Sequence, residues 1–459
     1  MTCRVALVFF ALFLAGWTGT AAAGTTAASE MTLPAALAEA YQKNPDLEAV
    51  RAELKSVDEN YAQAVAGFRP SVNGTVDYTS NHNTLGSGGT VNSDPKNLSL
   101  QVTQSLYSGG STMADVDQSD SKIKAERAKL KVTEQTVLRN AVAAYMNLIR
   151  DQEIVQLRMK NESVLTNHLD ASNARFKLGD ITRTDVSQSE SRLAKALASR
   201  IAAEGDLKKS RAVFEQVIGS PASSLKKPDV NLVLPTTEDA ALEIALRNNP
   251  SIAMAKYTED AAHAAIRSVE GGNLPKIDLT GTIGKIYDPA SVAARDEDTQ
   301  AIEIKATIPL YAGGSTTSKV RQARQVENQR RMETQSAERA VHRSVVEAWE
   351  ALVAAEAESR ALQTQIDAAK LALDGVKVEQ EYGSRTTLDL LDAEQEYLDA
   401  QVAHVSAETD RIVASYGLLA AVGALTAQNL RLDVPVYDPA QNFQNDSVNK
   451  MYWPFHRDK

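Results

Sequence analysis

Two hydrophobic periods divide this chain. Over four short stretches, about 71–79, 98–106, 276–285 and 301–309, apolar and polar residues alternate. Val72, Gly74, Val76 and Tyr78 share one face of the first; Asn73, Thr75, Asp77 and Thr79 share the other. In the second, Leu98, Leu100, Val102 and Leu106 oppose Ser99, Gln101, Thr103 and Ser105. Ile277, Leu279, Gly281 and Ile283 oppose Lys276, Asp278, Thr280 and Thr282, and Ile302, Ile304, Ala306 and Ile308 oppose Glu303, Lys305 and Thr307. A period of two predicts strands with two unlike faces. Elsewhere the period is helical. Residues 111–177 and 315–382 run without proline, which at 1.5 Å per residue makes helices about 100 Å long. Each carries a narrow seam: Val137, Ala141, Ala144, Tyr145 and Leu148 in one, Val341, Val345, Ala348, Trp349 and Leu352 in the other. Narrow seams on otherwise polar helices suit coiled-coil packing with water on two sides.

The pattern occurs twice. Tyr41-Gln-Lys-Asn-Pro45 returns as Leu246-Arg-Asn-Asn-Pro250, Gly67-Phe-Arg-Pro70 as Gly272-Asn-Leu-Pro275, and Leu106-Tyr-Ser-Gly-Gly-Ser-Thr112 as Leu310-Tyr-Ala-Gly-Gly-Ser-Thr316. Gly179 and Asp185 return as Gly383 and Asp389, and Val217-Ile-Gly219 as Ala421-Val-Gly423. Landmarks held in order at an offset of 204–205 residues define two domain-sized repeats, 24–235 and 236–435, with a tail at 436–459. Each repeat reads as two helices, a strand, a polar loop, a strand, the long helix, a turn and a return helix (about 182–218 and 386–422). Asn44-Pro45 and Asn249-Pro250 separate the first two helices, because proline lacks a donor and disfavours helix in the residue before it.

Composition sets the compartment. Arg4, the apolar run from Val5 to Ala15 and the small residues Ala21-Ala-Ala23 form a signal peptide over residues 1–23, cut before Gly24. The single cysteine, Cys3, goes with it, so the mature chain has no disulfide or zinc-thiolate chemistry. Loss of Arg4 takes the formal charge from -10 to -11. An acidic chain without a basic cluster argues against nucleic acid as a partner. No mature segment approaches the ~20 apolar residues of a membrane helix, so a membrane role must use strands.

Strands of about nine residues with one apolar face match an outer-membrane barrel, and also a soluble sheet with one wet face. The long polar connections 81–96 and 287–300 favour the barrel. Four strands cannot close in lipid, where an open edge is not tolerated. Two chains would give eight strands and a filled interior; three would give twelve and room for a pore. Export adaptors with one long coiled-coil hairpin, and soluble coiled-coil scaffolds, are the rival classes. The duplication and the four strands count against both. His82, His168, His263, His342, His404 and His456 have no metal-ligand spacing, and no nucleophile or phosphate-loop motif occurs. No catalytic residue, metal or cofactor is expected.

The turns after the long helices carry the candidate chemistry. Gly179 and Gly383 suit the position where a helix stops. Thr182, Thr184, Ser384 and Thr386 are candidate caps of the returning helices, and Asp185 and Asp389 favour their first turns. Asp389 and Asp392 lie three apart on one helical face and repel. Capping does not account for the pair. In a three-fold assembly they would make a ring of six carboxylates, and such a ring in a constriction selects cations.

With its duplicated Asn-Pro helices, its Leu-Tyr-Ser-Gly-Gly and Leu-Tyr-Ala-Gly-Gly joints and the turn from Gly383 through Arg385 and Asp389 to Asp392, the chain resembles the TolC family of outer-membrane efflux and secretion channels. The resemblance runs through Val434. It implies an α+β membrane protein, a homotrimer in which four strands per chain build a twelve-stranded barrel in outer-membrane lipid, continuous with a periplasmic helical barrel. It implies a passive duct, not an enzyme, docked through a periplasmic adaptor onto an inner-membrane transporter. It further implies a latch at the periplasmic end, with Arg385 facing Thr184 and Asp185, Asp389 and Asp392 as the acidic ring, and the turns at Gly179 and Gly383 as the adaptor-docking end. The family's best-known member has its latch tyrosine where this chain has Gln380; here the tyrosine is Tyr382.

Overall fold

The computed structural model describes residues 30–445, apart from 85, 87, 223, 230–231 and 288–295. The signal segment, part of the second polar connection and the aromatic cluster Met451–Phe455 lie outside these. Along the first repeat run α1 (Leu33–Lys43), α2 (Pro45–Ala66), β1 (Ser71–Tyr78), β2 (Asn81–Thr84), β3 (Thr90–Ser93), β4 (Lys96–Ser108), α3 (Ser111–Leu178) and α4 (Arg183–Ile218). The second holds α5 (Glu238–Asn248), α6 (Pro250–Gly271), β5 (Lys276–Tyr287), β6 (Asp296–Thr307), α7 (Ser315–Glu381) and α8 (Thr387–Ala421); α9 (Gln441–Asn445) follows.

The four long strands form one antiparallel sheet in the order β1-β4-β5-β6. Both outer strands are open edges. Register aligns the apolar positions: Val72 opposes Val102, which opposes Gly281, which opposes Ile302. Val72, Val102 and Ile302 are exposed, Ile302 at 86 %. The other face lines up Thr75, Ser99 and Gly284, then Gln101, Thr282 and Ala301.

Three expectations about this region change. The register shifts between Ser105 and Tyr107, so Tyr107, not Leu106, pairs with Ile277. At a bulge two residues oppose one, and the alternation flips beyond it. The connection 81–96 is not an open loop, since β2 and β3 pair as a hairpin within it. Finally, β4 and β6 extend into the polar connections, where both faces are polar and alternation carries no signal, and β5 runs on through Ile286 and Tyr287.

Each strand-to-helix joint is a pair of left-handed glycines, Gly109 and Gly110 (φ 67° and 79°) and Gly313 and Gly314 (φ 62° and 78°). A Cβ on Gly109 would sit 2.3 Å from the Gly271 carbonyl oxygen, so only glycine lets α3 start against the end of α6. From there α3 packs on α2, α4, α6 and α8, and α7 on α6 and α8. The seam residues Val137, Ala141, Tyr145 and Leu148 are buried, as are Val341, Val345 and Leu352. Tyr145 reaches the carbonyls of Met31 (2.8 Å) and Lys226 (2.6 Å), and burial pushes its hydroxyl pKa up to about 12.

The Asn-Pro breaks are splices. Asn44 accepts from the Asp46 amide (3.0 Å) and donates to the Val217 carbonyl (3.2 Å). Asn249 accepts from the Ser251 amide (2.9 Å) and donates to the Ala421 carbonyl (2.9 Å). One side chain thus caps the start of α2 or α6 and satisfies a carbonyl at the end of α4 or α8, where each helix leaves orphan groups. The tail is docked up to α9: Asn442 donates to Asp58 (3.1 Å), and Phe443 meets Tyr61 edge-on at 5.1 Å.

Candidate functional site

Both hairpin turns are built alike. α3 ends on Gly179 (φ 83°), whose amide returns to Arg175 and Phe176. Thr182 caps α4: its hydroxyl accepts from the Asp185 amide (3.3 Å), and Asp185 accepts from the Thr182 amide (2.9 Å). In the second turn Gly383 is left-handed (φ 76°), and Thr386 and Asp389 repeat the reciprocal box at 3.2 and 2.9 Å. Amide donation from Thr182 and Thr386, with their hydroxyls adding to it, holds both carboxyls below the usual aspartate range. Asp389 is therefore a capping residue like Asp185, and Asp392 is the member of the pair that capping leaves unexplained. Thr184 lies exposed in the first turn of α4 instead of capping it, and Ser384 donates to the Glu379 carbonyl (2.8 Å).

The anticipated latch residues are not joined within one chain. Arg385 donates through Nε to Glu379 (2.8 Å), a residue of its own hairpin. Tyr382 is 85 % exposed, and Gln380 is half-buried. Asp392 is bound by Arg192 of α4, so repulsion from Asp389 is offset by a cation from the other repeat.

A family model described as outer membrane efflux protein matches residues 36–220 and 241–424, both repeats in turn. The chain belongs to this family. It is 36% identical over 429 residues to the outer membrane efflux protein BepC of Brucella suis, covering 93% of this chain and 92% of that one. Against the outer membrane protein TolC of Escherichia coli it is 24% identical over 417 residues, covering 86% and 83%. The fold is that of the CmeC outer membrane channel of Campylobacter jejuni, with TM-score 0.78, 16% identity and coverage of 90% and 89%.

In this outer membrane efflux protein a series of contacts that the sequence did not reveal ties α8 to the first repeat. Its carboxylates Asp392, Glu394, Asp399 and Glu408 meet Arg192, His168 (3.1 Å), Arg158 (3.9 Å) and Lys227 (2.6 Å) in turn. The acids come from α8 and the bases from α3, α4 and the segment after α4. Leu165, Ala196 and Leu391 form a small apolar core beside them. Asp392 and Asp399 lie one heptad apart, the only trace of the series in the sequence. His168, one of the histidines without metal-ligand spacing, is a packed histidine that partners Glu394, which is 8 % exposed. Among the described residues no group of three or more His, Cys, Asp or Glu could hold a metal, and no helix is long and apolar enough to cross a membrane.

Proposed function

We propose that the chain is the passive outer-membrane exit duct of a tripartite efflux pump or type I secretion system in a Gram-negative bacterium. Three copies join β6 of one to β1 of the next, closing twelve strands in the outer membrane. The paired long helices continue as a periplasmic cylinder whose turns at Gly179 and Gly383 meet a periplasmic adaptor and an inner-membrane transporter. The observation that carries this reading is the four-stranded sheet: an apolar exposed face, a polar face and two open edges, set on helices about 100 Å long. An open edge in lipid is not tolerated, so the sheet must close on other copies.

Membrane dimensions support it. Tyr78 and Tyr287 stand at the loop end of the apolar face and Tyr107 at the helix end, opposite Ile277. From 277 to 287 is ten residues, about 33 Å along a strand, or roughly 25 Å of depth at ~40–45° tilt, with Lys285 and its cross-strand partner Asp298 on the same face just inside Tyr287. That is the separation of the two aromatic girdles in outer-membrane barrels.

The cylinder's closed end lies at the hairpin turns. Arg385 with Thr184, Asp185, Tyr382 and Gln380 forms the latch between neighbouring copies, and Asp389 and Asp392 line the constriction. Planar-bilayer conductance of the detergent-purified mature protein tests the reading. Discrete, uniform, cation-favouring steps are expected. Their absence from protein of verified fold would leave a scaffold or adaptor and remove the duct.

A further inference from the structure

The return helices bring one cation to the acidic end of the hairpins. α4 and α8 both begin at the turns, and helix side chains lean toward the N-terminus, so Arg192 and Asp392 both reach toward that end. Arg192 stands ten residues beyond the cap Thr182, about 15 Å along α4, and Asp392 six beyond Thr386, about 9 Å along α8. The long arginine stem takes up the difference, and its guanidinium binds the Asp392 carboxylate.

The neighbouring charges are committed elsewhere. Arg385 holds Glu379, and Arg183 lies over the Phe176 ring at 6.0 Å. Asp389 is tied into its capping box; donation from the Thr386 amide and hydroxyl keeps its carboxyl below the usual aspartate range, with Arg385 adding a smaller share. Glu396, one turn beyond Asp392 on the same face of α8, is exposed and forms no ion pair among the described residues. Of Asp389, Asp392 and Glu396, only Asp392 thus meets a cation within ion-pair distance. The two side chains of the pair are 29 % and 56 % exposed. A pair this wet does little to hold the hairpins together. Its charge acts all the same, because fields carry over roughly 10 Å at 0.1 M salt, farther than the spacing of neighbouring acids on one helical face.

We propose that Arg192 is a specificity-determining residue of the duct: in each copy it neutralises one of the two carboxylates at the constriction and so limits the preference for cations. This rests on the reading that Asp389 and Asp392 line that constriction. A ring of uncompensated carboxylates selects cations and repels anionic solutes. Three guanidiniums set against six carboxylates halve the charge of the ring. The barrier to a cargo carrying negative charge falls accordingly, while a net preference for cations is kept by Asp389.

The test is the reversal potential of the full mature protein in planar bilayers across a KCl gradient at neutral pH, which reports selectivity whatever the number of pores. Arg192→Gln should shift it toward the potassium equilibrium potential, Arg192→Glu should shift it further, and Arg192→Lys should match the parent. The shifts should shrink at about 1 M salt, where charges are screened within roughly 3 Å. Asp392→Asn frees the guanidinium and should move the potential the other way, whereas Arg192→Gln/Asp392→Asn removes a neutral pair and should return it to the parent value. That double variant, set against Asp392→Asn, carries the test if Arg192→Gln alone does not insert. Asp389→Asn checks the underlying reading separately and should weaken the preference for cations. If it does so while loss of Arg192 leaves the potential unchanged, the constriction stands and the proposal falls. If neither moves the potential, the two aspartates do not line the path and both fall. An Arg192→Gln duct with higher conductance but no greater preference for cations would make Arg192 a strut, which also overturns the proposal.

Discussion

At the scale of single residues, the turn aspartates serve two ends. Asp185 and Asp389 close capping boxes, and donation from Thr182 and Thr386 lowers their pKa in the folded chain. A lowered carboxyl pKa adds stability that is complete above the unfolded value and disappears as pH falls through the folded one. The turns should therefore keep their protection well below pH 5 and lose it only beneath the ordinary aspartate value of about 3.9. Hydrogen exchange of peptides spanning 178–190 and 382–394, corrected for intrinsic rates, measures this; loss of protection already at pH 5 would contradict it. Arg385 makes a different prediction. Its partner within the chain is Glu379 (2.8 Å), so a latch role in the proposed closed end would require contacts to neighbouring copies. Arg385→Ser should raise closed-state conductance, and Glu379→Gln should change it far less. Equal effects would make Arg385 a prop of its own hairpin.

At the scale of elements, two devices hold the wall together. Asn44 and Asn249 are 6 % and 8 % exposed, and each serves two helices at once. Asn249→Ala removes a cap and orphans the Ala421 carbonyl, which should cost about 1–3 kcal/mol. Asn249→Asp keeps the cap and loses only the donor, so its melting temperature should fall between those of Asn249→Ala and the parent. The second device is the pair His168–Glu394. His168→Ala leaves Glu394 buried and alone, a change of the same size, whereas the double variant His168→Leu/Glu394→Leu should recover most of the loss, because apolar replacement of a buried polar pair is often neutral. A double variant less stable than His168→Ala would point to packing as the cause. Local signals announced these elements unevenly. Asn-Pro announced a helix break because proline acts on its own backbone, but the second bond of each asparagine crosses more than 170 residues and has no local trace. The bulge at Leu106 was hidden for a related reason: alternation was read through a position whose offset is set by the partner strand. Thr182 and Thr386 stood among four candidate caps, and the structure selects them through the Asp three residues on from each. The bases facing α8 were not legible, because charge order along one helix does not tell which helix it meets.

For the whole molecule, the decisive property is which face of the sheet meets lipid. Ile302 and Glu303 are neighbours in β6 and point to opposite faces, opposite Gly281 and Thr280 of β5. Both are exposed in the single chain, so exposure alone does not separate them. Closure does: in a barrel with its apolar face outward, Ile302 enters hydrocarbon and Glu303 the aqueous lumen. An arginine on the lipid face near the bilayer midplane costs about 2–4 kcal/mol, while lumen substitutions alter selectivity. Since each copy carries the change, a trimer bears the cost three times. Ile302→Arg should therefore abolish or severely reduce folding into liposomes, read as loss of the heat-modifiable oligomer on gels. Glu303→Arg should fold as the parent does and shift ion preference away from cations. A soluble sheet with one wet face would also tolerate charge better at Glu303 than at Ile302, but neither the parent nor the variants would insert into liposomes. If both variants fold and insert alike, the apolar face is not the membrane face, and the twelve-stranded closure fails with it.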